Sequence, residues 1–379
     1  MKFHMPTEIV FGAGTISELG GILERKHFSR PLLVTDKGVE AAGLGSQVLR
    51  QVVPVAIFNE VEANPKQTTV DRAGGLARTL KPDLIIGLGG GSVLDAAKAI
   101  ALLGTNPGRI EDYEGREKYR EAPLPVLAIP TTCGTGSEVT WVSIITHTGR
   151  RAKMSIKGPL MYPAVALVDP DLLMTLPSSL VASTGFDALT HAIEAYTALP
   201  ATVFTDALAL EALRLIFRSL PEAFPDIGRN SAARAELMLG SVLAAMAFVN
   251  SDVGAVHCLA ESIGGLYDTP HGVANAVLLP FVMEFNLEAA EAKYARVAAL
   301  AGIEAPGEKE AAARLILKVQ ALSLELRIPE FKDLGIPEVD FELIAQKSFE
   351  NNSTPSNPRK AAAADYLGIL RRAQRARRD

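Results

Sequence analysis

DLIIGLGGGSVLDAAKAIA, Asp83 to Ala101, joins an apolar run to a run of good helix formers through a cluster of glycines. The cluster comprises Gly87, Gly89, Gly90 and Gly91. Glycines let a backbone approach a pyrophosphate closely, and the N-terminus of the following helix presents free N–H groups to it. The stretch therefore predicts a strand, a phosphate-binding loop and a helix in succession. Its spacing differs from the common G-x-G-x-x-G pattern, so a tight structural turn is the alternative interpretation.

Similar apolar runs recur through the first half of the chain, and Gly, Asp or Thr marks the end of most of them. They are RPLLVTD from Arg30, PVAIF from Pro54, LPVLAIPTT from Leu124 and AVALVDP from Ala164. Because consecutive rather than alternate positions are apolar, these runs are typical of parallel strands covered on both faces. They predict an α/β domain over residues 1–177.

From Ser178 onward the β-rich runs give way to Ala- and Leu-rich segments with helical spacing of apolar residues. These segments predict an all-helical domain over residues 178–379. Pro177 followed by Ser178 and Ser179 marks the boundary, because hydroxyl residues suit the N-cap of a new helix. A chain of 379 residues also exceeds what one core usually serves.

The composition, 48% hydrophobic with a mean hydropathy of +0.18, predicts well-packed cores rather than disorder. A net charge of −5 gives no electrostatic reason to expect nucleic acid, and the basic end RRAQRARRD is interpreted as a solvated helix end. The N-terminus lacks a signal-peptide pattern and no apolar run looks long enough to span a bilayer. With only Cys133 and Cys258, which are not expected to form a bridge, we predict a cytoplasmic protein without membrane partners.

Two further segments of the first half are candidates for nucleotide contacts. Asp36 ends one apolar run, where a carboxylate could accept hydrogen bonds from a ribose and repel a 2′-phosphate, which favours NAD over NADP. An ordinary helix-capping aspartate is the alternative. The segment IPTTCGTGSEVT supplies four hydroxyls, those of Thr131, Thr132, Thr135 and Ser137, that can line a cofactor. A third segment, FGAGTISELG from Phe11, is interpreted as a turn.

The second half contains a candidate metal site in GFDALTHAIEAY, Gly185 to Tyr196. Asp187 and His191 are four residues apart, so on a helix they share one face. Their alternative role is a hydrogen bond that satisfies a packed core. His257 and His271 lie in similar apolar segments, and one carboxylate with three imidazoles suits Zn²⁺ or Fe²⁺. Glu261, four residues after His257, is an alternative ligand, and spacing does not choose between it and His271.

Taken together, the sequence resembles the iron-containing (group III) alcohol dehydrogenase family over nearly its whole length. The resemblance rests on FGAGTISELG, GLGGGSVLDAAKAIA, PTTCGTGSEVT, VDPDLLMTLP, GFDALTHAIEAY, DTPHGVANAVLLPFVMEFN and NPR at Asn357–Arg359. It implies an N-terminal dinucleotide-binding domain with a Rossmann-like sheet, a helical C-terminal domain, and a cleft that holds NAD(P) and one divalent metal, Fe²⁺ before Zn²⁺.

Carried over position by position, the resemblance implies a metal site and a cofactor path. The metal ligands are Asp187, His191, His257 and His271. The cofactor residues are Asp36, Gly89, Gly90, Gly91, Ser92, Asp95, Thr131, Thr132, Thr135, Lys153, Leu172 and Thr175. The substrate lining includes Val142, Phe248 and Ser353, with Trp141 either nearby or in the core. In one departure from many relatives, Glu261 replaces a histidine, so it becomes a candidate proton relay or a hydrogen-bond partner of a ligand.

The reaction implied is hydride transfer between a metal-bound alkoxide and nicotinamide, with short or linear primary alcohols as substrates and a homodimer or larger homo-oligomer as the assembly. Other members of the wider superfamily are the alternatives: a maleylacetate reductase, a glycerol dehydrogenase or a hydroxyacid–oxoacid transhydrogenase. A nucleotide- and metal-binding protein without turnover is the alternative from another class.

Overall fold

The computed structural model describes residues 1–376, and the chain separates into two compact units. One unit is Met5–Leu176, and the other is Pro177–Asp379 together with Met1–His4. The first four residues join the second unit because the backbone N–H of His4 donates to Asn250 and the ring of Phe3 lies 6.0 Å from that of Phe204.

The first unit is built on a six-stranded sheet in which every neighbouring pair of strands is parallel. Its strands are β1 (Glu8–Phe11), β2 (Pro31–Val34), β3 (Ala56–Phe58), β4 (Leu84–Gly89), β6 (Val126–Pro130) and β9 (Val165–Val168). Their order across the sheet is β1-β9-β6-β4-β2-β3. The helices of this unit are α1 (Leu19–Arg25), α2 (Lys37–Ala41), α3 (Gly45–Leu49), α4 (Gln67–Leu80) and α5 (Gly91–Thr105).

Both faces of this sheet are covered, which explains the unbroken apolar runs. Every residue of β2, β4, β6 and β9 is buried. Leu32 packs in one cluster with residues of α4 and α5, while the next residue, Leu33, packs on the opposite face with residues of α1, α2 and α3. The prediction of an α/β domain with a parallel sheet is therefore confirmed.

A second, three-stranded sheet was not predicted. It consists of β5 (Gly115–Arg116), β8 (Ala152–Lys157) and β7 (Val142–His147), and β7 pairs with β8 in antiparallel fashion. Its strands mix buried and half-buried positions, so they lack the continuous apolar pattern by which the parallel strands were identified. Strand β1 escaped prediction for the same reason, since none of its four residues is fully buried.

The second unit is helical, as predicted. Its helices are α6 (Ser178–Thr197), α7 (Val203–Ala223), α8 (Ser231–Phe248), α9 (Ala255–Tyr267), α10 (His271–Leu300), α11 (Glu308–Glu325), α12 (Phe341–Phe349) and α13 (Ala363–Arg375). Helix α6 begins at Ser178, but the residue before it is Pro177 and no side chain caps it. The hydroxyls of Ser178 and Ser179 thus lie in the first turn and do not serve as the N-cap.

Two helices, α8 and α10, are long and apolar enough by length and composition to cross a membrane, contrary to the expectation from sequence. More than half of each apolar window is buried inside the protein, at 56% and 67%. A core helix of a globular protein has the same character, so their composition does not indicate a membrane protein. At the basic C-terminus, α13 ends at Arg375 with Arg371 and Arg372 exposed, and residues 377–379 of RRAQRARRD lie outside the described part.

Candidate metal and dinucleotide sites

Helix α6 carries three ionisable side chains into a buried environment. Asp187, His191 and Glu194 follow one another at spacings of four and three residues, and all are at most 5% exposed. These spacings place them along one face of the helix. Burying charge at this density is costly unless each group has a partner, and the partners come from α9 and α10.

Three donor atoms converge on one point beside α6. Asp187 lies with His257 of α9 and His271 of α10, and one ligand atom of each lies within 4.8 Å of the other two. Asp187 Oδ1 is 4.0 Å from His257 Nε2 and 3.8 Å from His271 Nε2. A carboxylate oxygen and two imidazole nitrogens at this separation match the preferences of Zn²⁺ and Fe²⁺, so the residues fit the predicted metal.

Asn275, which the sequence did not single out, lies at the centre of these donors. Its amide nitrogen donates to Asp187 Oδ1 at 2.6 Å and lies 3.2 Å from His257 Nε2 and 3.1 Å from His271 Nε2. It follows His271 by four residues on α10, so the same spacing rule that paired Asp187 with His191 could have found it.

Glu194, which sequence reasoning also did not single out, contacts the ring of His257 on the side opposite Asp187. Its Oε2 lies 2.5 Å from His257 Nδ1, the ring nitrogen that does not face Asp187. Burial, the strongest influence, lowers the pKa of His257, but the hydrogen bond to Glu194 and the nearby carboxylates outweigh it and raise that pKa.

His191 borders the three-donor cluster without joining it. Its Nδ1 is 3.9 Å from Asp187 Oδ2, and its ring stacks on Phe248 at a centroid distance of 4.3 Å and an interplanar angle of 16°. The centroid of the His257 ring lies 4.4 Å from the centroid of the His191 ring. His191 as a fourth metal ligand stays a prediction.

Glu261, which helical spacing left open as an alternative metal ligand, lies outside the cluster of ligand atoms. Its Oε2 accepts a hydrogen bond from Asn351 Nδ2 at 2.7 Å, and the cluster of ligand atoms contains His271 in its place. Asn351 in turn accepts from the backbone N–H of Ser353. Glu261 is thus tied to the segment after α12, and its role as a relay stays a prediction.

The N-terminus of α9, which carries His257, is capped by residues from elsewhere in the chain. The backbone N–H of Val256 donates to Glu194 Oε1 at 2.7 Å, and that of Ala255 donates to Asn357 Oδ1 at 3.2 Å. A Cβ added at the preceding Gly254 would lie 3.0 Å from both acceptors, so a side chain there would crowd these two oxygens. The asparagine of the NPR motif therefore serves to hold this helix.

In the other unit, the glycine loop and the threonine-rich loop lie side by side. The backbone N–H of Thr131 donates to the carbonyl of Gly89, and a Cβ added at Gly91 would lie 2.4 Å from Thr135 Cγ2. Gly90 precedes α5, whose N-terminus has no side-chain cap. The backbone N–H groups at Gly91 and Ser92 are therefore arranged as in a phosphate-binding helix N-terminus.

Asp95 and Lys98 of α5 hold the threonine-rich loop in place through hydrogen bonds. Asp95 accepts hydrogen bonds from Ser137 Oγ at 2.5 Å and from the backbone N–H of Ile144 at 3.0 Å. Lys98, 1% exposed, donates to the carbonyls of Ser137 and Thr140. Burial, the largest influence, lowers the pKa of Lys98 although Asp95 opposes it. Both carboxylate oxygens of Asp95 already accept hydrogen bonds from the protein. Asp95 therefore has a structural role, and its predicted contact with the cofactor would come in addition to these bonds.

The remaining predicted cofactor residues are dispersed over this unit. Asp36 Oδ1 accepts from the backbone N–H of Val39 at 2.8 Å, which makes it the N-cap of α2. Lys153 Nζ donates to Asn64 Oδ1. Leu172 is buried in the core, and Thr175 is exposed. Their contacts with a dinucleotide stay predictions.

The turn in FGAGTISELG has its own structural explanation. The backbone N–H groups of Gly14 and Ile16 both donate to the carboxylate of Asp169, each at 3.0 Å. Gly14 adopts a positive φ of 78°, which glycine tolerates best. These N–H groups are therefore occupied by the protein itself.

The two halves of the chain match two models of one family. The model described as iron-containing alcohol dehydrogenase matches residues 6–170, and the C-terminal model of the Fe-containing alcohol dehydrogenase family matches residues 181–374. The chain belongs to the iron-containing alcohol dehydrogenase family. The resemblance predicted from sequence is confirmed, and so is the enzyme class, an oxidoreductase of the alcohol dehydrogenase type.

Relatives that match this iron-containing alcohol dehydrogenase over nearly its whole length include two bacterial proteins. It is 38% identical to an NAD-dependent methanol dehydrogenase of Bacillus methanolicus, over 98% of this chain and 99% of the relative. It is 40% identical to a 1,3-propanediol dehydrogenase of Klebsiella pneumoniae, over 98% of each chain. A crystal structure of a 1,3-propanediol oxidoreductase superposes with a TM-score of 0.94 at 39% identity, covering 98% of this chain and 99% of that one. These matches confirm the predicted fold.

The residues predicted to line the substrate site have varied surroundings in this alcohol dehydrogenase. Phe248 lies against His191 as described above. Ser353 is buried, and its hydroxyl donates to Asp252 at 3.0 Å. Trp141, by contrast, is half-buried, stacks on Tyr162 at 6.5 Å and lies beneath the guanidinium of the exposed Arg116 at 4.7 Å, so neither predicted place for it is decided by these contacts.

Proposed function

We propose that this enzyme is an NAD-dependent dehydrogenase of short or linear primary alcohols that also reduces the corresponding aldehydes. The observation that carries the proposal is the convergence of Asp187, His257 and His271 within one metal-sized space. The relatives named for methanol and 1,3-propanediol act on short primary alcohols, which supports this substrate class.

Asp187, His257 and His271 would hold one divalent metal, Fe²⁺ by family and Zn²⁺ by ligand preference as the alternative, with His191 as the fourth ligand. When bound, the metal supplies a Lewis acid that favours loss of the alcohol proton. The chain's own contribution is to hold the three donors in place. Asn275 donates to the carboxylate, and Glu194 accepts from the ring of His257.

The α/β unit would bind the dinucleotide that accepts the hydride. The uncapped N-terminus of α5 and its glycine loop suit the pyrophosphate, at Gly89, Gly90, Gly91 and Ser92. Asp36 can accept from the ribose while it caps α2, and its charge disfavours a 2′-phosphate. NAD rather than NADP is therefore the proposed cofactor, in keeping with the name of the Bacillus relative.

The apolar ring of Phe248 beside His191 supports an alkyl substrate over a sugar. A flat aromatic surface offers contact to a short chain and no hydrogen-bond partners for additional hydroxyls. Ser353, which is buried in the same unit as Phe248, is the second residue of the proposed lining, and Val142 stays a prediction.

The experiment is anaerobic reconstitution. The purified protein is stripped of metal, Fe²⁺ or Zn²⁺ is added back separately, and NADH formation is followed with methanol, ethanol, propanol and butanol. Glycerol and hydroxy acids serve as competing substrate classes. Asp187→Ala tests the site, and Glu284→Gln, an exposed carboxylate of α10 bonded to Gln320, is the matched control.

Turnover restored by one metal in the wild type and in Glu284→Gln, but not in Asp187→Ala, is the expected result. Preference for glycerol or for hydroxy acids would replace the proposed substrate class with one of the superfamily alternatives. Binding of NAD without turnover on any alcohol or aldehyde would contradict the proposed reaction.

We further propose a cytoplasmic location and a homo-oligomeric assembly. Cys133 and Cys258 are both buried and neither forms a disulfide, which is compatible with a reducing compartment. The assembly is tested by light scattering of the purified enzyme.

A further inference from the structure

Glu194 uses both oxygens of its carboxylate on the segment that carries His257. Oε2 lies 2.5 Å from His257 Nδ1, and Oε1 accepts from the backbone N–H of Val256 at 2.7 Å. The side chain is 5% exposed, so water does not compete strongly for either oxygen. One buried carboxylate thus contacts a metal-ligand ring and the first turn of the helix that bears it.

We propose that Glu194 is a positioning residue that fixes which nitrogen of His257 faces the metal. An ionised carboxylate can only accept hydrogen bonds, so the contact at Nδ1 requires a proton on that nitrogen. The lone pair of the neutral ring then lies on Nε2, the nitrogen that faces Asp187. A carboxylate behind a metal-bound histidine orients the ring in this way and increases its basicity. The inference rests on the proposed metal site.

The competing explanation is that Glu194 only caps α9. Asn357 offers a direct comparison, because its Oδ1 accepts from the neighbouring N–H of Ala255 but does not contact the ring of His257. Substituting Asn357 therefore weakens the helix cap while leaving the histidine contact in place.

Glu194→Gln separates the two contacts further. If the amide oxygen of glutamine accepts from Val256, its NH₂ group faces His257 Nδ1 and requires a lone pair there, which places the proton on Nε2. If the amide is turned over, two donors oppose each other at Val256. Neither orientation satisfies the helix cap and the metal-ready tautomer together.

The experiment measures Zn²⁺ affinity of the full chain by competition with a chromophoric chelator. Glu194→Gln is compared with Asn357→Ala as the capping control and with Glu284→Gln as the charge control. Thermal unfolding of each metal-free protein monitors stability. We expect Zn²⁺ affinity about 10- to 100-fold lower in Glu194→Gln, and near-wild-type affinity in both controls.

A Glu194→Gln protein with wild-type Zn²⁺ affinity would overturn the inference, and so would an equal loss of affinity in Asn357→Ala. If the wild type itself binds neither Zn²⁺ nor Fe²⁺, the proposed function fails. Failure of the inference alone is seen when the wild type binds metal but Glu194→Gln binds it equally well. Should Glu194→Gln not fold, ring ¹⁵N NMR of the zinc-loaded wild type decides: a proton on Nδ1 of His257 supports the inference, and a proton on Nε2 overturns it.

Discussion

The amide nitrogen of Asn275 and the carboxylate of Asp187 form a 2.6 Å hydrogen bond at the point where three ligand atoms meet. Both residues are at most 1% exposed. A buried carboxylate with no partner is costly, and here the amide supplies one donor to the oxygen that also faces His257 and His271. The stability of this region should therefore depend on whether a metal shares that oxygen.

Asn275→Ala tests this dependence. In the metal-free protein, loss of a hydrogen bond to a charged group should lower the free energy of unfolding by about 1.5 to 3 kcal/mol. The loss should be smaller with Zn²⁺ bound, because the metal compensates the carboxylate. Denaturant unfolding with and without Zn²⁺ measures the difference. Asn230→Ala, which removes the N-cap of α8, is the control and should cost the same in both states. Equal losses for Asn275→Ala in both states would contradict the prediction.

Gly272→Ala should disturb the metal site through the backbone. Gly272 follows His271 directly, and an added Cβ would lie 2.4 Å from the backbone oxygen of Ser183 on α6. Because the backbone yields little, α10 must shift from α6, at a cost of about 1 to 3 kcal/mol in unfolding free energy, and His271 must shift from Asp187. We expect weaker Zn²⁺ binding by chelator competition.

The control for this substitution is Gly75→Ala in α4, where an added Cβ meets no atom within 4 Å. It removes backbone freedom of the unfolded chain and should be neutral or stabilising by up to about 1 kcal/mol. Wild-type Zn²⁺ affinity in Gly272→Ala would show that α6 and α10 do not set the geometry of the ligands.

Glu138 should make stability depend on pH. Burial raises its pKa from 4.5 to about 7, although Lys98 opposes the shift. The folded state therefore binds this proton more tightly than the unfolded state, and the group penalises folding increasingly as pH rises from 4.5 to 7. Glu138→Gln removes the penalty. Relative to wild type, the variant should gain about 2 to 3 kcal/mol between about pH 5 and about pH 8.

Urea unfolding of wild type and Glu138→Gln across this pH range provides the measurement. A stability difference that stays constant with pH would mean that Glu138 titrates normally in the folded protein.

Gly91→Ala should weaken dinucleotide binding and leave the metal site intact. The added Cβ would lie 2.4 Å from Thr135 Cγ2 and 2.9 Å from Thr135 Cβ, so the two loops must separate. We expect a loss of NADH affinity of at least about tenfold, or about 1.4 kcal/mol, measured by the fluorescence of bound NADH. Zn²⁺ affinity is the internal control, and its loss in parallel would indicate general misfolding.

Much of this fold could be predicted because its signals are local. The runs that became β2, β4, β6 and β9 are apolar at consecutive positions, as expected of short strands covered on both faces. Strands β7 and β8 lack that pattern. Their pairing depends on partners that the sequence alone does not reveal.

The site was predicted less completely. Helical spacing placed Asp187 and His191 on one face of α6, where the two side chains lie 3.9 Å apart, and the same reasoning could have extended to Glu194, seven residues after Asp187. Spacing could not show the direction of a ring: His191 shares the face of Asp187 yet stacks on Phe248. Nor could it choose between Glu261 and His271, because that choice depends on how α9 and α10 pack.

The capping of α9 by Asn357 has a consequence for the order of assembly. The acceptor that completes the start of this helix lies 102 residues after the N–H it binds. Contacts between such distant parts of a chain close late in folding, since their loop entropy must be overcome first. During synthesis the ribosome releases the residues of α9 long before this partner, so we expect the first turn of α9 to be completed only after translation has passed Asn357.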